Sequence, residues 1–81
     1  ELLASAQLGA GDFVGAMQNY RQLLQFDGSQ ARWWYGYAVA NDRLGNISVA
    51  KQSYEQALKG ASLSVSLRRS SEERVAALAA Q

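Results

Sequence analysis

The sequence predicts an all-α fold of antiparallel helical hairpins, and three observations lead to this prediction. The chain resembles itself when it is shifted by the distance from Gly11 to Gly45, and the same shift places Tyr54 on Tyr20. We call this distance the repeat period. An offset of this length is typical of stacked structural repeats. Apolar residues recur at helical spacing on both sides of each glycine. The 81 residues are 48% hydrophobic and include no proline, so no proline interrupts the predicted helices.

Composition excludes several classes of function. Eight Lys and Arg against seven Asp and Glu leave a net charge of +1, which gives no broad field for holding nucleic acid or anionic lipid. The chain has no Cys and no His, and therefore lacks thiol nucleophiles, the usual zinc ligands and the commonest general base. We expect no enzymatic activity, no cofactor or metal, no nucleic-acid partner and no direct membrane contact.

Each predicted hairpin turns at a glycine. Gly11 and Gly45 are expected to take positive φ after a first helix, and the following residue, Asp12 or Asn46, is expected to cap the second helix through its side-chain oxygen. The second helices should cover residues 13–26 and 47–59. Their buried stripes contain a small residue and a tyrosine in each case, Ala16 with Tyr20 and Ala50 with Tyr54.

The remaining segments complete a single domain of 81 residues. Ser29 is expected to cap a helix over residues 30–44. Gly60 is expected to end the helix over residues 47–59. A last amphipathic helix should begin near Ser62 or Ser64, with Arg68 and Arg69 on a solvated face. The predicted division is a first repeat over 1–28, truncated at its N-terminus, a second repeat over 29–60, and a capping helix over 61–81.

The second unit resembles the tetratricopeptide repeat (TPR). The family's pattern positions are occupied by Trp34, Ala38, Gly45, Ala50, Tyr54 and Ala57, although the usual closing proline is absent and Tyr37 replaces a leucine. The resemblance implies helical hairpins of TPR type that act as a non-catalytic scaffold for protein–protein interaction. Two alternatives remain open. One is a chaperone-adaptor module that binds peptide tails, and the other is a purely structural end piece of a longer repeat array.

A narrower resemblance rests on three segments, Ala31–Gly36 with its double tryptophan, Ala50–Leu58, and Leu63–Arg68. These segments are similar to the C-terminal region of MshN-type proteins of mannose-sensitive haemagglutinin (type IV) pilus biogenesis. That resemblance implies a bacterial accessory of pilus assembly, with this domain in the periplasm as part of an inner-membrane-anchored protein and pilus assembly components as partners. A cytoplasmic location is the alternative.

The candidate partner-binding residues lie on one face of the helix over residues 30–44. In TPR geometry the first helices line a concave surface, and five residues are expected to share that face, away from the core stripe of Trp34 and Ala38. An aromatic residue with flanking arginines is typical of a binding hot spot, whereas the alternative is an ordinary solvated face. The five are Arg32, Tyr35, Val39, Asp42 and Arg43.

Two further expectations concern apolar residues. Trp34 is predicted to be a core residue between its own hairpin and the preceding unit, whereas Trp33 is predicted to pack near Leu23 or Phe26 of the preceding helix. Because the first unit lacks its opening turn, we also expect an apolar N-terminal edge. That edge should leave Phe13 and Tyr20 poorly shielded and favour self-association.

Overall fold

The computed structural model of residues 1–81 confirms an all-α fold of helical hairpins. It contains five helices and no strand, and successive helices pack on each other in chain order. The turns at Gly11 and Gly45 pair the first four into two hairpins. The helices are α1 (Leu2–Ala10), α2 (Phe13–Phe26), α3 (Ala31–Arg43), α4 (Ile47–Leu58) and α5 (Val65–Ala79).

The two hairpins share the same backbone turn, which confirms the role predicted for the glycines. Gly11 and Gly45 have φ of 84° and 82°, the left-handed region in which a side chain is strained. The next residues, Asp12 and Asn46, both have φ −83° and ψ 74°. The Asp12 N–H donates to the Gln7 carbonyl at 2.8 Å, and the Asn46 N–H donates to the Asn41 carbonyl at 2.9 Å. The repeat is therefore structural as well as sequential.

The two helix caps differ in their side chains. Asp12 caps α2 as predicted, because its Oδ1 accepts from the Gly15 N–H at 3.0 Å. The same prediction for Asn46 is wrong, since its Nδ2 instead donates to Oδ1 of Asn41 at 3.0 Å and no side-chain oxygen caps α4. Asn41 is buried, and its amide oxygen needs a donor there. The Asn46 side chain is thus turned towards α3.

The α2–α3 connection also differs from prediction. Gln30, not Ser29, is the residue before α3, and it makes no side-chain cap. Asp27 organises this connection, because its Oδ1 accepts from both the Ser29 N–H at 3.0 Å and the Ser29 hydroxyl at 2.6 Å. A turn around an aspartate satisfies the local donors without the serine cap.

Small residues and tyrosines form the core of each hairpin. Ala16 and Ala50 are fully buried, and Tyr20 and Tyr54 are 5% and 2% exposed. Tyr20 packs on α3 at Gly36, where an added Cβ would overlap the ring Cζ. The absence of a side chain at Gly36 therefore allows α3 to approach α2 this closely.

The two tryptophans point to different clusters. Trp33 packs against the cluster that contains Tyr20 and is bordered by Leu23, which agrees with the predicted contact to the preceding unit. Phe26 is 86% exposed, so it is not part of that contact. Trp34 is half-buried at the cluster of Ala31, Ala57 and Leu63, and its Nε1–H donates to the Gly28 carbonyl at 2.8 Å. The predicted contact of Trp34 with its own hairpin is thus confirmed, because this cluster is formed by α3, α4 and the following loop. Its contact with the preceding unit is the hydrogen bond to Gly28, and the side chain is half-buried instead of lying in the core.

Helix α5 stacks on α4 in the register in which α3 stacks on α2. It begins at Val65, one repeat period after Ala31, and Ser64 caps it by accepting from the Leu67 N–H at 3.2 Å. Arg68 occupies the position of Trp34 and, like Trp34, donates to the loop before its helix. Its guanidinium binds the carbonyls of Leu58 at 2.9 Å and Gly60 at 2.6 Å. The prediction of a solvated Arg68 is therefore wrong, since this side chain caps the C-terminal end of α4.

The N-terminal edge is only partly as predicted. Tyr20 is buried, because α3 covers it, so the expectation that this residue is poorly shielded is wrong. Leu2 and Leu3 are the exposed apolar residues of α1, at 86% and 63%. No helix of the protein has both the length and the apolar character needed to cross a membrane.

Candidate functional site

A cleft of about 380 Å³ lies where α3, α4 and α5 meet. Four of the five predicted partner-binding residues line it, which places them on one surface. Helix α3 supplies one wall and α5 the other, with a single tyrosine from α4 between them. The lining residues are Tyr35, Val39, Asp42, Arg43, Tyr54, Ser70 and Arg74.

Asp42 accepts side-chain hydrogen bonds from both other helices of this cleft. Its side chain is 13% exposed and accepts a bidentate pair from Arg74, with Nε to Oδ2 at 2.8 Å and a terminal nitrogen to Oδ1 at 2.9 Å. The Tyr54 hydroxyl donates to the same Oδ2 at 3.0 Å. Bidentate guanidinium–carboxylate geometry fixes orientation as well as distance. Asp42 therefore ties α4 and α5 to α3.

The hydrogen bonds set the ionisation of the cleft. Burial disfavours the charge on Asp42, but the bonds from Arg74 and Tyr54 outweigh it and hold the pKa of this carboxyl below its ordinary value. Burial, reinforced by the bond to Asp42, raises the pKa of Tyr54. Asp42 is thus charged and Tyr54 neutral near pH 7. Neither group is poised for proton transfer at that pH.

Tyr35 and Tyr54 form the aromatic floor of the cleft. Their rings meet edge to face, with centroids 5.9 Å apart and an interplanar angle of 67°. The Tyr35 hydroxyl lies 3.3 Å from the Ser70 hydroxyl of α5. Tyr35 is half-buried, so part of its ring is available to a ligand. Such a ring, held by neighbours on two sides, loses little entropy when it is covered.

The two arginines predicted for this face lie in different places. Arg43 is exposed at the rim of the cleft, and its guanidinium lies 5.7 Å from the centre of the Phe13 ring. It makes no ion pair. Arg32 does not line the cleft. Its terminal nitrogen lies 3.6 Å from the Glu1 carboxylate, at the side of α3 that faces α1.

Sequence reasoning missed Arg74 and Ser70 as cleft residues. Both lie on α5, which the sequence indicated only as an amphipathic cap. A signal was present, because Ser70 and Arg74 follow Gly36 and Ala40 by the same offset that separates the two hairpins. Extending the repeat through α5 would have placed both residues opposite α4.

A second depression, of about 540 Å³, runs along the outer side of α5. All its lining residues belong to one helix, so no second element provides an opposing wall. Exposed Val65 is its apolar residue, and Arg69 and Glu73 supply opposite charges. This surface offers less enclosure than the cleft at Asp42 does.

Comparison with protein-family models, curated proteins and solved structures finds no match to the chain. The chain contains no group of three or more metal-ligating side chains placed to hold an ion.

Proposed function

We propose that the chain is a non-catalytic protein-interaction module of TPR type that binds a peptide segment of a partner in the cleft between α3 and α5. The observation that carries the proposal is the repetition of one hairpin along the chain, with matching turn dihedrals and matching buried alanine and tyrosine. Stacked repeats of this kind present extended surfaces, and binding is their usual role.

The chemistry of the cleft supports a mixed apolar and polar ligand. Tyr35 and Val39 offer partly exposed apolar surface, and Arg43 offers a cation with no carboxylate partner. Arg74 is already neutralised by Asp42 and is not free to bind an acidic group. We infer that a side chain of the partner packs on Tyr35 while a polar or acidic group reaches Arg43.

The acidic-tail adaptor remains the second candidate, and Arg43 is the observation that favours it. A clamp for a terminal carboxylate needs several free cations, whereas the ion pair at Asp42 removes Arg74 from such a set. An acidic tail peptide should therefore bind weakly. Titration with such a peptide separates the two candidates, because tight binding that is lost in Arg43→Glu would favour the adaptor.

The narrower proposal is an accessory role in type IV pilus assembly, in the periplasm. It is supported by the double tryptophan and by the Leu63–Arg68 segment, which resemble the MshN-type proteins. Co-purification of the domain with pilus assembly components would support it. Recovery of cytoplasmic partners alone would contradict it.

The proposed function is tested by affinity capture with a matched pair of variants. The double variant Tyr35→Ala with Arg43→Glu removes the half-buried ring and the exposed cation of the cleft. The control, Gln52→Ala, changes an exposed residue of α4 that does not line it. A partner retained by the native chain and by the control should be lost by the double variant. Equal retention by all three, with unchanged circular dichroism, would contradict the proposal.

A further inference from the structure

The side of α1 that faces away from α2 repeats a surface that is buried on α3. On α3, the residues that face α2 include Gly36, Tyr37 and Ala40, and they contact or border the cluster around Tyr20. One repeat period earlier in the chain, Leu2, Leu3 and Ala6 occupy the positions of Gly36, Tyr37 and Ala40, in that order. All three are exposed, although Ala40 is fully buried and Gly36 is buried. The chain itself thus shows what covers such a surface.

We propose that the surface formed by Leu2, Leu3 and Ala6 docks the second helix of a further helical hairpin, in the register one repeat ahead of α1. The template is the seat of α3 on α2 within this chain. The proposal concerns a face distinct from the cleft at Asp42 and is independent of it.

The contact between Gly36 and Tyr20 also indicates which type of residue the docking helix should carry against Leu2. Gly36 accommodates Tyr20 only because it has no Cβ, which would overlap the ring Cζ and lie 2.5 Å from a ring Cε. Leu2 occupies the position of Gly36 and has a large side chain. A tyrosine at the position of Tyr20 would therefore collide with Leu2. The docking helix should carry a shorter apolar residue there, such as leucine, which lacks the outer ring atoms.

A second copy of this chain is a poorer occupant. The helices of the required type are α2 and α4, and they are already covered by α3 and α5. The outer side of α5 carries exposed Arg69, Glu72 and Glu73, which do not complement an apolar surface. Head-to-tail stacking of copies would thus set charged side chains against Leu2 and Leu3.

The test extends the full chain by its own first hairpin. Residues 1–34 are placed ahead of Glu1, so that the added Trp34 continues directly into Glu1, which holds the position of Tyr35. Two versions are compared. The tyrosine version keeps Tyr20 in the added copy, and the leucine version carries Tyr20→Leu in the added copy alone. The probe is thermal unfolding followed by circular dichroism, with sedimentation to record the association state.

We expect the leucine version to unfold about 4 °C or more above the 81-residue chain. Leu3→Glu in the original copy should remove this gain, yet shift the 81-residue chain by no more than about 2 °C, because Leu3 is exposed there. The tyrosine version should gain less. In the tyrosine version, Leu2→Gly in the original copy should raise the Tm. The same change lowers the Tm of the 81-residue chain, because glycine has a low helix propensity.

Three outcomes would overturn the proposal. The first is an equal effect of Leu3→Glu on the extended and unextended chains. The second is a tyrosine version more stable than the leucine version while Leu2 is present. The third is a dimer of the unextended chain that Leu3→Glu abolishes, because the occupant would then be a second copy.

Discussion

Arg74 of α5 holds Asp42 of α3 through two hydrogen bonds of 2.8 and 2.9 Å, and it thereby fixes the last helix against the second hairpin. The carboxylate is largely buried, whereas the arginine side chain is 41% exposed. Loss of the arginine would leave a buried charge with one remaining side-chain donor, Tyr54. Such asymmetry makes the pair more costly to break than an exposed ion pair.

We therefore predict that Arg74→Ala destabilises the domain clearly more than the loss of an exposed arginine does, because it leaves the Asp42 carboxylate without its bidentate partner. Arg69→Ala is the matched control, because Arg69 lies on the same helix, is exposed and makes no ion pair. It should change the free energy of unfolding by less than about 0.5 kcal/mol. Urea denaturation measures both. Equal effects would show that the contact to Asp42 contributes nothing.

Acid should unfold the protein partly through Asp42. The pKa of this carboxyl is lowered on folding from an ordinary value of 3.8, so its contribution to stability is present above that pH and is lost as the pH falls through the folded-state pKa. Asp42→Asn should flatten the pH dependence of Tm below about pH 4. Asp27 also has a lowered pKa, through hydrogen bonds from Ser29 and then Gln30, and should supply the dependence that remains. An unchanged acid limb in the Asp42→Asn variant would contradict this assignment.

Two helical glycines should respond to alanine with opposite signs. At Gly36 the new Cβ would collide with the Tyr20 ring, so we expect Gly36→Ala to cost about 1–3 kcal/mol. At Gly9 no atom beyond the chain neighbours and the backbone of its own helix lies within 4 Å of the new Cβ, so Gly9→Ala should stabilise the domain by about 0.5–1 kcal/mol. Thermal unfolding of the two variants checks both signs. Destabilisation of similar size at both positions would refute the close approach of α3 to α2.

Trp34 should contribute both packing and a hydrogen bond. Trp34→Phe keeps an aromatic ring at the Ala31 cluster but removes the donor to the Gly28 carbonyl, and should cost about 1 kcal/mol. Trp34→Ala should cost clearly more, about 3 kcal/mol, because the ring contacts are lost as well. Guanidinium denaturation distinguishes the two. If both variants lost the same free energy, the ring would not contribute to the core.

Local signals in the sequence predicted most of the fold. A glycine followed by Asp12 or Asn46 determines where each hairpin turns, since few other residues accept the required φ. The repeated tyrosine and alanine likewise predicted which side of α2 and α4 is buried. These features depend on neighbours close in the chain, and they could therefore be read from spacing alone.

The details of the site depended on contacts between distant residues. Asp42 and Arg74 come together only because α5 adopts the register of α3. The sequence of α5 is polar, so its apolar residues did not indicate that register. The Asn46 side chain was likewise predicted as a cap, but the burial of Asn41 gave it a different partner. Side-chain hydrogen bonds follow the unsatisfied groups of the assembled fold, which local patterns do not show.

Site-specific photo-crosslinking tests most directly the claim that the cleft between α3 and α5 binds the partner. A photoreactive residue would replace Arg43 at the rim of the cleft and, in the control, Gln52 on the exposed side of α4. We expect one defined crosslinked protein from position 43 and none from position 52, with Tyr35→Ala reducing its yield. The same crosslinked protein from both positions, or a yield that Tyr35→Ala leaves unchanged, would contradict it.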